Sequence, residues 1–408
     1  MKLTKVNVLT VYYEPQPSRR IKVGRLAQTG REILFEYDSA FLATRLPLSP
    51  LYLPLAPGVV VGRPDALDGL MGVFDDSLPD GWGRLLIDRR ATELGLSASS
   101  LSPLDRLTLV GTRAMGALVY EPESALDEPT LVKLSELARE TKMVLMGGRG
   151  ADLERLIAVG GSPKGARPKV LIQLSPEGDV LFGAKTIEPR YTAWLVKFRA
   201  HQDDPNSAAL EHGYFLMAKA AGIDVPRTQV LGKAKREPGY FAIERFDRSG
   251  NSRRHMHTFG GLLNLPHHYA ALDYCDLLKV TRRVTRNEAA VTEMFRRACF
   301  NVFAHNRDDH SRNFAFLMDE SGTWQPSPAY DLTMSDGPGG EHTMLIAGEA
   351  RAPKREHLLT LAARCGLKQA AEIVDQVRGA VAHFKDFAQE AGVPSHLRQK
   401  VATVLGTS

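Results

Sequence analysis

The chain has 408 residues, 43% of them hydrophobic and 24% charged, enough to bury the cores of two or three folding units. Its formal charge of +5 is a mild excess that suits an acidic protein or a nucleic acid and is diagnostic of neither. Cys275, Cys299 and Cys365 are odd in number and widely spaced, and neither a signal segment nor a long apolar run is present, which argues against a disulfide framework, a zinc site and a membrane span and leads us to expect a soluble, cytoplasmic protein.

The first third reads as β-rich. Strands are predicted at residues 5–14, 21–27 and 32–37, followed by a proline-rich stretch at 46–57. A helix should start after Asp80-Gly81 and a strand should cover residues 117–120. Residues 121–129 resemble a linker and precede a helical segment. No internal repeat or low-complexity tract stands out.

Chemistry-bearing residues begin at Val159-Gly160-Gly161-Ser162-Pro163-Lys164-Gly165-Ala166-Arg167-Pro168-Lys169, a glycine-rich basic loop running into the strand Val170-Leu171-Ile172-Gln173-Leu174. Glycines let backbone N–H groups turn toward phosphate oxygens, and Lys164, Arg167 and Lys169 add positive charge. The spacing matches neither Gly-x-Gly-x-x-Gly nor the P-loop pattern, and a hairpin turn with solvated cations fits the same residues. Next comes the apolar strand Thr192-Ala193-Trp194-Leu195-Val196-Lys197-Phe198. A lysine inside such a run is costly unless paired, and Glu211, opening a helical pattern that Gly222 ends, is the candidate partner. A lysine on an edge strand facing solvent is the alternative. Residues 240–248, including Glu244-Arg245-Phe246, form a strand placed where a kinase hinge offers backbone groups to adenine; a salt-bridged core strand would read similarly.

Residues 251–257 are basic and polar and suggest a loop. Beyond them apolar periodicity predicts helices at 273–281, 286–304 and 369–391. His255, His257, His267 and His268 lack metal-ligand spacing and fit a polar loop. The pairs Arg282-Arg283, Arg296-Arg297 and Lys354-Arg355 fit solvated helix faces. Residues 358–367 resemble the start of a helix-turn-helix, but the amphipathic segment after them favours packing within a helical lobe.

Between these helices stands His305-Asn306-Arg307-Asp308-Asp309-His310-Ser311-Arg312-Asn313, and after it Ala329-Tyr330-Asp331-Leu332. Arg-Asp with Asn five residues later is the spacing of a kinase catalytic loop, in which the Asp accepts a hydroxyl proton, the Asn holds a metal and a later Asp completes the Mg²⁺ site. The spacing also arises on ordinary surface loops. Basic glycine loop, strand lysine, helix glutamate, hinge-like strand, Arg-Asp…Asn and a further Asp nevertheless occur here in that serial order, which points to an ATP-dependent phosphotransferase.

The segments Phe74-Asp75-Asp76-Ser77-Leu78-Pro79-Asp80-Gly81-Trp82-Gly83 and Val110-Gly111-Thr112-Arg113-Ala114-Met115-Gly116-Ala117-Leu118 add to these motifs. On all of them the chain resembles, over nearly its whole length, the HipA family of toxin Ser/Thr kinases from bacterial type II toxin–antitoxin modules. The resemblance implies an α+β, protein kinase-like two-lobed fold. It would have an N-terminal β-rich subdomain (residues 1–120), a nucleotide-binding lobe (121–248) and an all-helical catalytic lobe (249–408). It implies ATP and Mg²⁺ as cofactors, with Asp308 as proton acceptor and Asn313 and Asp331 as metal ligands. Lys164, Gly165, Ala166, Arg167, Pro168 and Lys169 would form the phosphate segment, and Lys197, ion-paired to Glu211, would contact ATP. Glu244, Arg245 and Phe246 would form the adenine side, with His310, Ser311, Arg312, Asn313 and Tyr330 bordering the nucleotide. Ser162 falls where family members autophosphorylate. Asp309 stands where some members have glycine, and the five-residue step to Asn313 assigns the chemistry to Asp308 instead. Implied partners are a HipB-like helix-turn-helix antitoxin, DNA indirectly through it, and a protein substrate such as an aminoacyl-tRNA synthetase. A pseudokinase-like corepressor and a small-molecule phosphotransferase are the other readings.

Overall fold

The computed structural model describes residues 5–124, 130–131, 133–148, 150–182, 186–200, 202–232, 239–266 and 272–407. His267, His268 and residues 125–129 of the expected linker lie outside the described residues.

The N-terminal sheet has five antiparallel strands, β1 (Val8–Gln16), β2 (Arg19–Thr29), β3 (Glu32–Tyr37), β4 (Val59–Val61) and β5 (Leu118–Glu121), in the order β4-β3-β2-β1-β5. Alternation sets its faces. Leu9, Val11 and Tyr13 on β1 are fully buried, while the residues between them are partly exposed, as the period of two requires of a sheet covered on one side. Phe35 and Phe74 meet at 4.8 Å beneath this sheet.

A second sheet is built from β6 (Thr130–Leu131), β7 (Lys169–Leu174), β8 (Val180–Phe182), β9 (Thr192–Lys197), β10 (Thr228–Leu231) and β11 (Tyr240–Glu244), in the order β10-β11-β9-β7-β8-β6. Strand β9 is interior, with Lys197 opposite Lys169 on one side and Phe241 on the other. Val170, Ile172, Trp194 and Val196 face a core closed by the helices Gly81–Glu93 and Leu153–Gly160. Lys169 and Lys197 therefore point to the opposite face. The helix Ser207–Ala220 covers that face and ends before Gly222, whose φ of 81° suits glycine.

The rest of the chain is mainly helical. Asp273 caps Tyr274–Thr285 through Cys275 N, and Asn287 caps Glu288–Phe303 through Ala289 N. Arg355–Arg364, with Leu358 and Leu361 fully buried, packs inside this lobe as expected. The arrangement is the α+β, kinase-like two-lobed fold.

Four local expectations are corrected. The C-terminal lobe is not wholly helical, because His255–Thr258, Ala315–Met318 and Trp324–Pro326 form an antiparallel sheet. Ala315–Met318 is buried at every position, so it offers no alternation from which to recognise a strand. His255 and His257 are not in a polar loop; both are buried, His255 against Leu48 O at 3.0 Å and His257 between Ser49 and Asp76. Arg297 is not on a solvated face: it is buried, donating to Glu293 Oε1 and Ser327 O at 2.8 Å each. The predicted helix over 369–391 divides at His383 into Ala370–Ala382 and Phe384–Glu390.

The two sheets are joined through a buried carboxylate. Asp247 is fully buried and accepts from Arg245 Nη2 at 2.8 Å, Arg248 Nη1 at 2.6 Å and Gly116 N at 2.7 Å. Removing one partner from such a set strands the others. Asp247→Ala should cost about 3–5 kcal/mol of stability, measured by urea unfolding; a loss no larger than that of an exposed-site alanine variant would contradict this account.

Candidate active site

The centre of the site follows from strand register. Pairing of β7 with β9 sets Lys169 beside Lys197, and two ammonium groups on one buried face need carboxylates. Glu211, on the covering helix, accepts from Lys197 Nζ at 2.6 Å, and Asp331 accepts from the same nitrogen. Lys197 is thus an interior, doubly paired lysine and not a solvent-facing edge residue. Burial opposes its charge, but Asp331 and Glu211 outweigh burial and hold the ammonium above its ordinary range. Burial likewise acts against the Asp331 anion, yet Lys197 and Lys169 keep that carboxyl well below the usual carboxylate range. Glu211 is pushed upward by burial, with Lys197 opposing. Lys169 is lowered by burial, with Asp331 opposing.

Asp331 has φ 54°, in the left-handed region a non-glycine residue rarely occupies, so its surroundings impose the turn that aims its carboxylate. The neighbouring Tyr330 hydroxyl donates to Arg312 O at 2.6 Å, tying the residue before Asp331 to the residue before Asn313. Asn313 Nδ2 donates to Asp308 O at 2.6 Å. The Asp308 side chain is 59% exposed and lies 3.9 Å from His310 Nε2. Asp309 faces the other way. It is buried, accepting from the Tyr274 hydroxyl at 2.8 Å and from Thr343 N at 2.7 Å, with His342 Nδ1 also 2.8 Å away. Of the adjacent acids, Asp308 alone is presented to an incoming molecule.

The glycine-rich segment begins where Leu153–Gly160 ends, with Gly161 at φ 57° and Gly165 at φ 118°. It is held down on all sides. Lys164 Nζ donates to Asp75 O at 2.8 Å and Asp75 Oδ2 at 2.9 Å, while Gly165 N donates to Asp80. Lys169 donates to Lys164 O, and Arg167 Nη2 pairs with Asp203 at 3.2 Å. Pro168 O accepts from Phe198 N at 2.8 Å. Ser162 is fully buried, its Oγ accepting from Met115 N at 2.8 Å. Ala166 lies between these anchored residues.

Several expected nucleotide-side residues have their side chains engaged elsewhere. Arg312 Nη2 pairs with Asp75 at 2.6 Å, and Ser311 is buried against Gly260. Arg245 turns toward Asp247 and Ala114 O, and Glu244 pairs with Arg227 at 2.5 Å. Phe246 and Tyr330 keep their rings 5.6 Å apart.

Asp75 and Asp76 carry a role that residue spacing alone did not reveal. Asp76 accepts from Thr258 N and Thr258 Oγ1 at 2.7 Å each, and its Oδ2 lies 2.6 Å from His257 Nδ1. Burial disfavours the Asp76 anion, but His257, Lys164 and Arg312 outweigh burial and hold the carboxyl well below its ordinary range. Two consecutive acids directly after the buried run Gly72, Val73 and Phe74 were the available signal, since interior carboxylates require partners.

The donors present fit a magnesium nucleotide. Asp331 and the Asn313 amide offer hard oxygen ligands, and among the described residues no group of three or more His, Cys, Asp or Glu could hold a metal ion. Mg²⁺ characteristically takes one or two carboxylates and completes its shell with phosphate oxygens and water. Lys169 and Lys197 place two cations on the same face of the sheet as Asp331.

Comparison with known proteins agrees with this architecture. A family model described as the HipA-like C-terminal domain matches residues 161–385, and one described as the HipA N-terminal domain matches residues 18–121. The candidate kinase Y4dM of Sinorhizobium fredii is 27% identical over 53% of this chain, which spans 56% of that protein. The candidate kinase Y4mE of the same organism is 28% identical over 80% of this chain and 77% of its own length. The serine/threonine-protein kinase toxin HipA of Shewanella oneidensis is 22% identical over 69% of this chain and 67% of its own. The structure of the Shewanella oneidensis HipA, HipB and operator DNA complex matches at TM-score 0.70 and 19% identity, covering 98% of this chain and 95% of that one. Among the described residues no helix is long and apolar enough to cross a membrane.

Asp76, Asp247 and Asp331 all have folded-state carboxyls held below their ordinary range. Groups depressed in this sense add stability that is complete above the unfolded carboxylate value of roughly 3.9 and is lost as pH falls below it. Unfolding free energy should therefore fall progressively as pH drops below about 4, and Asp76→Asn should flatten part of that fall. Identical pH profiles for variant and wild type would contradict the placement of Asp76.

Proposed function

The chain belongs to the HipA family, and from that premise we propose that it is an ATP-dependent Ser/Thr protein kinase acting as the toxin of a type II toxin–antitoxin module. The observation that supports this most is the cluster of Lys197, Glu211 and Asp331 tied through Tyr330 and Arg312 to Asp308 and Asn313.

When bound, ATP with Mg²⁺ supplies the γ-phosphoryl group and part of its charge neutralisation. The residues do the rest. Asp331 and the Asn313 amide oxygen would hold the metal, and Lys197, still paired to Glu211, would face the phosphate oxygens. Lys169 and Arg167 add charge along the glycine-rich segment. The backbone of Glu244, Arg245 and Phe246 borders the adenine. Asp308, exposed at the edge of the site, orients the acceptor hydroxyl and takes its proton as the oxygen–phosphorus bond forms and the bond to ADP breaks.

Ser162 gives the enzyme a means of silencing itself. It is buried in the seated loop, so its modification requires the loop to leave. A phosphate of roughly two negative charges would then engage Arg167 or Lys169 and keep them from the nucleotide. The partners that suit this reading are a HipB-like helix-turn-helix antitoxin, operator DNA reached through it, and a cytoplasmic translation component such as an aminoacyl-tRNA synthetase as substrate.

Radiolabelled transfer from ATP tests the assignments. Asp308→Ala should lower transfer by about 10²–10⁴-fold while ATP binding persists, and Asp331→Ala should lose both; normal transfer by Asp308→Ala would overturn the mechanism. After preincubation with ATP, wild type should lose activity and Ser162→Ala should keep it. Equal loss in both would remove Ser162 from regulation.

A further inference from the structure

A polar cavity lies on the face of the sheet that carries Lys169 and Lys197, further along its strands. Gln173 on β7 and Ala193 on β9 both line it. They stand four residues from Lys169 and Lys197, about 13 Å at the rise of a strand. Its volume is about 70 Å³, and Arg113, Arg245, Arg248 and Arg253 line it together with Thr112. No carboxylate among the described residues lines it.

The arginines are incompletely matched. Asp247 serves both Arg245 and Arg248, Glu123 lies 3.3 Å from Arg113 Nη1, and Glu14 lies 3.7 Å from Arg253 Nη2. Three carboxylates thus stand outside the cavity against four guanidinium groups within its wall. Arg253 is only 9% exposed, and its Nη1, like Arg113 Nε, has no hydrogen-bond partner among the described residues. A buried N–H donor left unmade is costly, more so on a charged group. Burial and the neighbouring Arg245 push the Arg248 guanidinium well below its ordinary range, and burial lowers Arg113 and Arg253 as well. Positive charge is in excess here, in a space fit for a small anion.

We propose that this cavity binds a tetrahedral oxyanion, inorganic phosphate or sulfate, through Arg253 Nη1 and Arg113 Nε, the donors left without partners among the described residues, in a wall whose positive charge Arg245 and Arg248 raise. Forked guanidinium groups match such oxyanions in geometry and charge. The bound ion would join Arg113 to the short strand Ser252–Arg253, and so stiffen the junction between the N-terminal sheet and the nucleotide lobe. The proposal does not depend on the kinase reading.

Isothermal titration of sodium phosphate at fixed ionic strength tests it, with folding of each variant checked by circular dichroism. Wild type should show one saturable site. Arg253→Met should bind about 10- to 100-fold more weakly, as loss of a charge-assisted hydrogen bond predicts. Arg253→Lys, which keeps the charge but not the fork, should fall between them, and Arg283→Met, on an exposed helix position, should match wild type. Binding should persist when a non-hydrolysable ATP analogue with Mg²⁺ is present in excess. Absence of saturable binding, equal affinity in both Arg253 variants and wild type, or displacement by the nucleotide would each overturn the proposal, the last by assigning the phosphate to the nucleotide site.

Discussion

One ammonium group shared between two carboxylates organises this molecule. Lys197 is fixed by strand pairing on an interior strand, Glu211 comes from the helix laid over that strand, and Asp331 comes from the opposite lobe. Each charge would be expensive alone in the interior. Together they hold the helix against the sheet and tie the sheet to the opposite lobe.

The N-terminal sheet is connected to this cleft through ionic contacts as well as packing. Asp75 joins Lys164 of the glycine-rich segment to Arg312 beside Asn313, while Asp76 fastens the strand His255–Thr258. A second tie runs from Arg245, Asp247 and Arg248 to Ala114 and Gly116. The segment Ala114 to Gly116 consequently touches the hinge residues and, through Met115 N, also Ser162. Movement of the glycine-rich segment cannot occur without breaking contacts made by the N-terminal third of the chain. That dependence gives a physical reason for a large added sheet in a phosphotransferase fold.

Much of this was legible in residue patterns because it rests on local rules. Alternation predicted β1, β2 and β3, glycine at 222 marked the end of a helix, and the step from Asp308 to Asn313 placed two polar side chains on one short turn. An unpaired lysine in an apolar strand called for a carboxylate, and Glu211 is where the chain provides it. Of the two adjacent acids, Asp308 is exposed and Asp309 buried, a difference that residue order did not show.

What patterns could not convey were interactions between positions far apart in the chain. His255 and His257 look polar until Leu48, Ser49 and Asp76 are brought to them. The partners of Arg312 and Arg245, Asp75 and Asp247, are likewise known only once the chain has folded. Residue order fixed the kinds of element, their caps and the candidate chemistry, because those depend on neighbours within a few positions. Long-range packing settled which charges meet, since burial and pairing of a charge depend on every element that closes around it.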